Sequence, residues 1–256
     1  MQTQPTPHND INYLLTELLT AMQTILGEQL VGLYLYGSLV TGDFDPQVSD
    51  IDLLAVIASE LSDEAFYALH TMHDNFVARH KEWDNRIEVA YVSAAALKTY
   101  RTQRSLIAVI SPGEPFHHKE AGRDWLINWY LVREKGVTLF GPTPDKFIDL
   151  ITKEEWLQAV REYTSVWREW IQHTYQRKEQ AYAILTLCRA YYTLSKGEYP
   201  SKKQAALWAA EKLPEWASFI KQALVWRSTA HDEDVDHVTT IEETRRFVHY
   251  MIGLCQ

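Results

Sequence analysis

Residues 33–56 read LYLYGSLVTGDFDPQVSDIDLLAV. One apolar run ends in a Gly-Ser pair, and a second opens with two aspartates, Asp50 and Asp52, one residue apart. Side chains alternate faces along a strand, so these two carboxylates point the same way and converge. Holding two like charges together beside Leu53-Leu54-Ala55-Val56 is costly unless an external cation offsets them. Magnesium is the expected cation.

The pattern outside this stretch predicts a small mixed sheet. Asp10 is placed to cap a helix whose apolar positions Ile11, Leu14, Leu15, Leu18, Leu19, Met22, Ile25 and Leu26 recur at helical spacing, and Gly27 ends it. A buried strand follows over 30–36, a turn at Gly37-Ser38, a short helical turn over 39–42 and a loop over 43–48 that contains Pro46. The second strand covers 51–57, an amphipathic helix 62–80, and a third strand 86–92. Residues 94–140 read as mainly helical, with a surface loop at Ser111-Pro112-Gly113-Glu114-Pro115. Gly141-Pro142-Thr143-Pro144 is the strongest break, and from Thr152, paired with Glu155 as a capping box, everything reads as helix. The expected fold is α+β: an N-terminal domain with a small mixed sheet over 1–150, and an all-α bundle over 151–256.

Composition narrows the function classes. A chain of 256 residues, 46% hydrophobic and 23% charged, is long enough for two modest cores and too apolar to be disordered. A net charge of −9 without a long Lys/Arg run argues against nucleic acid, whose phosphates demand a basic face, and favours a cationic small molecule. Cys188 and Cys255 lack metal or redox spacing and read as reduced core residues of a cytoplasmic protein. The start MQTQPTPHND has no basic-then-apolar leader, and no 18 apolar residues run together, so neither secretion nor a membrane span is expected.

Three further residues carry chemistry. Ser38 follows Gly37 at a turn, where a small hydroxyl donates well to a phosphate oxygen, and Ser49 directly precedes Asp50, so both serines are candidates to hold phosphate beside the metal. Glu88, in the third strand, supplies a third acid, either as a metal ligand or as the general base toward an attacking hydroxyl. His117-His118 are sequence neighbours and read as solvated; 231–236, HDEDVD, reads as an acidic connection; Arg245-Arg246 and His249 fit a helix face.

The pattern GSLVTGDFDPQVSDIDLL resembles the signature of the DNA polymerase β-type nucleotidyltransferase superfamily. More narrowly, the chain resembles the streptomycin/spectinomycin 3″-adenylyltransferase family, through Ile87-Glu88-Val89, residues 136–142, LTLCRAYYTLSKGEYPSK at 185–202, AALWAAEKLP at 205–214 and FVHY at 247–250. The resemblance implies a nucleotidyltransferase domain and a helical domain with ATP and magnesium held between them. Asp50 and Asp52 would bind magnesium, Ser38 and Ser49 the phosphates, and Glu88 would deprotonate the drug hydroxyl. Arg189 and Lys202 match basic residues that contact the triphosphate; Trp170 and Glu179 fall where the family holds the aminoglycoside. The segment RSLIAVISPGEPF lacks the tryptophan that streptomycin-modifying members carry near Ser111, and their drug-pocket acid near Tyr175 is also missing, which favours a spectinomycin-like acceptor. The implied activity is transfer of AMP from ATP to a hydroxyl of a cationic antibiotic, by a monomer. The alternatives are a nucleotidyltransferase acting on a protein or another small molecule, or a nucleotide-binding regulator.

Overall fold

The computed structural model describes residues 4–42, 44–228 and 238–256, so Asp43 and the acidic segment 231–236 lie outside the described residues. The chain divides into two compact units, Met1–Phe44 with Ser49–Ile151, and Asp45–Val48 with Thr152–Gln256.

The first unit is built on a six-stranded sheet of order β5-β4-β3-β2-β1-β6, with β1 Leu30–Tyr36, β2 Ile51–Ile57, β3 Ile87–Ser93, β4 Ser105–Ser111, β5 Glu114–Ala121 and β6 Val137–Phe140. Among the described strands only β2 and β3 run parallel; α3 (Asp63–Arg79) makes the crossover that a parallel pair requires. Alternation sorts the three central strands. Leu33, Leu35, Ile51, Leu53, Ala55, Ile57, Ile87, Val89 and Tyr91 join the core that contains α1 (Asn9–Leu26) and α3, whereas the intervening positions, Tyr36, Asp52 and Glu88 among them, belong to the opposite face. Ser62 caps α3, its hydroxyl accepting the Ala65 N–H at 3.2 Å. α1 begins one residue before Asp10, with His8 at the cap position and no side-chain cap bond, so Asp10 serves in the first turn rather than as the cap.

The expectation of a mainly helical stretch over 94–140 is corrected. β4 and β5 form a hairpin across it, and β6 follows; helix is confined to α4 (Ala96–Thr99), a 3-10 turn at Arg123–Trp125 and α5 (Leu126–Lys135). The reason is local. SLIAVIS is rich in β-branched residues, and the segment read as a surface loop contains a two-residue hairpin turn, Pro112-Gly113, that joins the paired Ser111 and Glu114. Gly113 takes φ 84°, the conformation that the second central residue of a Pro-Gly turn needs.

The second unit is helical: α6 Lys153–Trp170, α7 Arg177–Lys196, α8 Lys202–Lys212, α9 Ala217–Ser228 and α10 Ile241–Leu254. Thr152 caps α6 through its hydroxyl, which accepts the Glu155 N–H at 3.1 Å. α7 supplies Ile184, Leu187 and Cys188 to the core, against Trp167, Ala209, Phe219, Ile220, Phe247 and Met251 from the other helices. One buried polar node fixes their alignment: Gln180 Oε1 accepts the hydroxyls of Thr240 and Thr244, both at 2.8 Å, and Nε2 donates to the Tyr175 carbonyl at 2.9 Å. Cys188 and Cys255 are buried free thiols, and burial pushes both upward, Cys255 to about 12. No helix among the described residues is long and apolar enough to cross a membrane.

One buried group ties the first unit's stability to pH. His73 on α3 is 1% exposed and its Nε2 lies 2.9 Å from the Tyr91 hydroxyl. Burial, helped by the neighbouring His70, lowers it from 6.5 to about 4. Between those values the unfolded chain binds more protons, so the contribution is fully present above pH 6.5 and disappears as pH falls to about 4. The loss amounts to roughly 3 kcal/mol. Denaturant midpoints measured from pH 7.5 down to pH 4.5 are therefore expected to fall more steeply for the wild type than for His73→Gln, which keeps a bond to Tyr91 without the titration; parallel profiles would contradict this.

Candidate active site

The register of three strands assembles the site. β1 pairs Tyr36 with Asp52, and β2 pairs Asp52 with Glu88, so the three side chains form one row across the sheet, on the face away from the α1–α3 core. Asp50 stands one residue ahead of β2, and its charge is felt at Glu88. The structure thus brings Asp50, Asp52 and Glu88 to one end of the sheet.

Gly37 shows how closely the chain passes. Its φ of 73° and ψ of −147° suit glycine, and a Cβ added there would stand 1.8 Å from Oδ2 of Asp52. The Gly-Ser turn is therefore pressed against the Asp52 carboxylate. Ser38, which follows, begins the single-turn helix α2 (Ser38–Thr41), and its Oγ is buried with no hydrogen-bond partner among the described residues. A buried hydroxyl without a partner costs on the order of 1–3 kcal/mol, which an acceptor oxygen brought to it would offset.

Ser49 is 3% exposed, and the backbone on which it and Asp50 sit is clamped from the side. The Arg86 guanidinium donates through Nε at 3.1 Å and through Nη2 to the Ser49 carbonyl, while its Cζ lies 4.4 Å from the centroid of the Trp83 ring. In the other direction the Ile51 N–H donates to the Arg86 carbonyl at 2.9 Å. This Trp83–Arg86 brace escaped the sequence reading; an Arg two residues before a strand acid gives no sign that its target is a main-chain oxygen.

Electrostatics set Glu88 apart. Burial pushes its carboxyl above the usual range, the Tyr36 hydroxyl donating at 3.1 Å pulls it back, and the charges of Asp50, Lys119 and Glu114 act in smaller and opposing ways. A carboxylate moved toward neutrality is suited to accept a proton. No group of three or more His, Cys, Asp or Glu among the described residues forms a ready-made metal cage. The donor set still fits magnesium, a hard ion commonly bound by one or two carboxylates together with substrate phosphates rather than by an all-protein cage.

In the helical unit, Arg189 on α7 stacks over the Tyr199 ring at 4.7 Å, and Lys202, the first residue of α8, sets its Nζ 4.3 Å from the Tyr182 ring centroid. The first turn of α8 holds Lys202 and Lys203 and no acid, so side-chain charge adds to the positive end of the helix dipole; an anion is the complement. Trp170, at the end of α6, is half-buried, 4.8 Å from Trp167 and 6.3 Å from Tyr182 between ring centroids, so Tyr182 lies between Lys202 and Trp170. Trp170 also lines a surface depression of about 570 Å³ with Ser165, Val166, Arg168, Glu169 and His173. Glu179 is engaged locally: Oε2 accepts the N–H groups of Tyr175 at 3.2 Å and Gln176 at 3.1 Å, closing a capping box at the start of α7. Tyr182 was also missed, because its spacing on α7 reads as ordinary helix surface.

Comparison with known proteins covers both units. Residues 15–121 match the nucleotidyltransferase domain family, and residues 146–253 the aminoglycoside adenylyltransferase C-terminal domain family. Similar curated proteins include aminoglycoside (3'') (9) adenylyltransferases of Escherichia coli, 26% identical over 95% of this chain and 94% of that protein, and of Rhizobium radiobacter, 26% identical over 93% and 91%. Among solved structures, the spectinomycin adenyltransferase AAD(9) from Enterococcus faecialis, crystallised with ATP and spectinomycin, superposes with a TM-score of 0.74 at 19% identity, covering 95% of this chain and 98% of that one. With a nucleotidyltransferase module carrying the acidic row and an adenylyltransferase module carrying Arg189 and Lys202, the chain belongs to the aminoglycoside adenylyltransferase family of nucleotidyltransferases.

Proposed function

We propose that this enzyme transfers AMP from ATP, with magnesium, to a hydroxyl of an aminoglycoside or aminocyclitol antibiotic, spectinomycin-like rather than streptomycin, and does so as a cytoplasmic monomer. The observation that carries this reading is the row Tyr36–Asp52–Glu88 set against the glycine of a Gly-Ser turn. Two aspartates in a polar cleft have many uses; two aspartates beside an unpartnered buried serine and a third acid of raised pKa match phosphoryl chemistry. The similar proteins named above, and the absence of a tryptophan in the segment 104–116, support the choice of acceptor class.

In this reading Asp50 and Asp52 hold the magnesium, with Glu88 able to share it, and the bound ion would supply charge neutralisation at the α-phosphate. Ser38 Oγ donates to a phosphate oxygen and so gains the partner it lacks. Ser49, fixed by the brace on its carbonyl, takes a second phosphate contact. Arg189 and Lys202 are assigned to the triphosphate, where fixed cations stabilise the charge that develops on the leaving pyrophosphate. Glu88 accepts the proton of the acceptor hydroxyl as its oxygen attacks phosphorus. Trp170 presents a ring face to the cationic acceptor, and Glu179, immobilised by its two amide bonds, contributes negative charge there. The net charge of −9 suits a polycationic acceptor.

Four outcomes test the reading. Incubation with ATP, magnesium and spectinomycin is expected to give a drug product heavier by one AMP moiety, with streptomycin unmodified; an unmodified panel of aminoglycosides and aminocyclitols would refute it. Glu88→Gln is expected to lower kcat by roughly 10²–10⁴-fold while calorimetry still detects magnesium-ATP, whereas Asp50→Asn is expected to weaken that binding itself. Gly37→Ala must move either its own backbone or Asp52, and is expected to cost about 1–3 kcal/mol of stability and most of the magnesium-dependent part of ATP affinity. Unchanged affinity would separate Asp52 from the metal site.

A further inference from the structure

One side chain of the acidic row has no part in the mechanism above. Tyr36 is 4% exposed, and its hydroxyl donates to Oε1 of Glu88 at 3.1 Å. The strand that carries Asp52 lies between them, since Tyr36 pairs with Asp52 and Asp52 with Glu88. The hydroxyl therefore reaches over an entire strand, a separation of about 10 Å between the outer backbones. A phenylalanine would fill the same space under the sheet; what the hydroxyl adds is a fixed donor for one carboxylate oxygen. Glu88 has three side-chain torsions, and a carboxylate that wanders among rotamers is seldom aligned with its proton donor.

We propose that Tyr36 is a positioning residue for Glu88: it holds Oε1, so that Oε2 is the oxygen presented to the acceptor hydroxyl. The assignment rests on the adenylyl-transfer reading. In the step it serves, the acceptor O–H bond breaks and the proton passes to Oε2 of Glu88. The pair left on the acceptor oxygen forms the bond to the α-phosphorus, and the bond from that phosphorus to the bridging oxygen breaks, its pair departing on pyrophosphate. Tyr36 keeps its own proton throughout. Acting through Glu88, it contributes to the rate of transfer and not to nucleotide affinity.

The test is a cycle of variants in the full-length enzyme: wild type, Tyr36→Phe, Glu88→Asp, and the two combined, each assayed for kcat and KM with ATP, magnesium and spectinomycin, and for Tm. Tyr36→Phe is expected to lower kcat by about 10–100-fold, with KM for ATP within twofold and Tm almost unmoved. Glu88→Asp draws the carboxylate back by one methylene, out of reach of the hydroxyl, so adding Tyr36→Phe to it is expected to cost no further rate. A Tyr36→Phe enzyme with wild-type kcat, or a double variant that loses the same factor again, overturns the role of Tyr36 and leaves adenylyl transfer standing. A rise in KM for ATP that matches the loss in kcat makes Tyr36 a scaffold residue and likewise overturns the proposal. If Tyr36→Phe is too unstable to assay, the same comparison is made with Tyr36→Met, which also removes the donor: a kcat loss at unchanged KM for ATP that is absent in the Glu88→Asp background supports the tether, and wild-type kcat overturns it. A wild type that transfers no AMP to spectinomycin or any other drug of the panel removes the reading itself, and this assignment with it.

Discussion

The parallel register of β2 and β3 is the constraint on which the rest of the site depends. Opposing Asp52 to Glu88 fixes both carboxylates on the face turned away from α1 and α3, and a slip of one residue would send one of them into the apolar core instead. Such a slip would bury an unpaired charge among Leu53, Val89 and Tyr91, so the same hydrophobic pattern that stabilises the sheet also protects the geometry of the site. Function and folding are here enforced by one set of contacts. The antiparallel register of β1 then adds Tyr36 to the row and leaves Gly37 directly beyond it, where the chain must turn under the Asp52 carboxylate.

The strand placements show how much of this was legible. The spans 30–36 and 51–57 follow from apolar runs bounded by turn residues, and the acid spacing in S-D-I-D needs nothing more than strand alternation to imply convergence. The hairpin over 105–121 was not legible, since EPFHHKEA is polar, largely solvent-facing and short of apolar signal, and a two-residue Pro-Gly turn inside a longer polar patch looks like a loop. That hairpin bears on the site. Asn85, at φ 58°, accepts the Gly113 N–H through its side chain, and the charges of Glu114 and Lys119 both reach Glu88. Two of the neighbours that tune the central acid thus come from a hairpin whose existence tertiary pairing decides.

The contacts that hold the site residues were illegible for a related reason. Arg86 acts on a carbonyl, Tyr36 on a side chain two strands away, and Glu179 on the amides at the start of its own helix. None of these targets leaves a mark in residue type. Glu179 in particular satisfies the pattern of a capping box as fully as that of an acceptor ligand, and in the structure it makes the capping bonds.

The cations of the helical unit illustrate a different solution to charge placement. Arg245 is paired to Glu242 at 2.6 Å, and Arg189 and Lys202 each lie over a tyrosine ring. A ring face orients a cation through its quadrupole without supplying a full negative charge. A long side chain laid against a ring has also given up part of its conformational freedom. Lys202 also stands at the amino end of α8, where its charge has the same sign as that end of the helix dipole. An anion placed at that helix end would meet the side-chain charge and the dipole with opposite sign to both, so the two would act on it together.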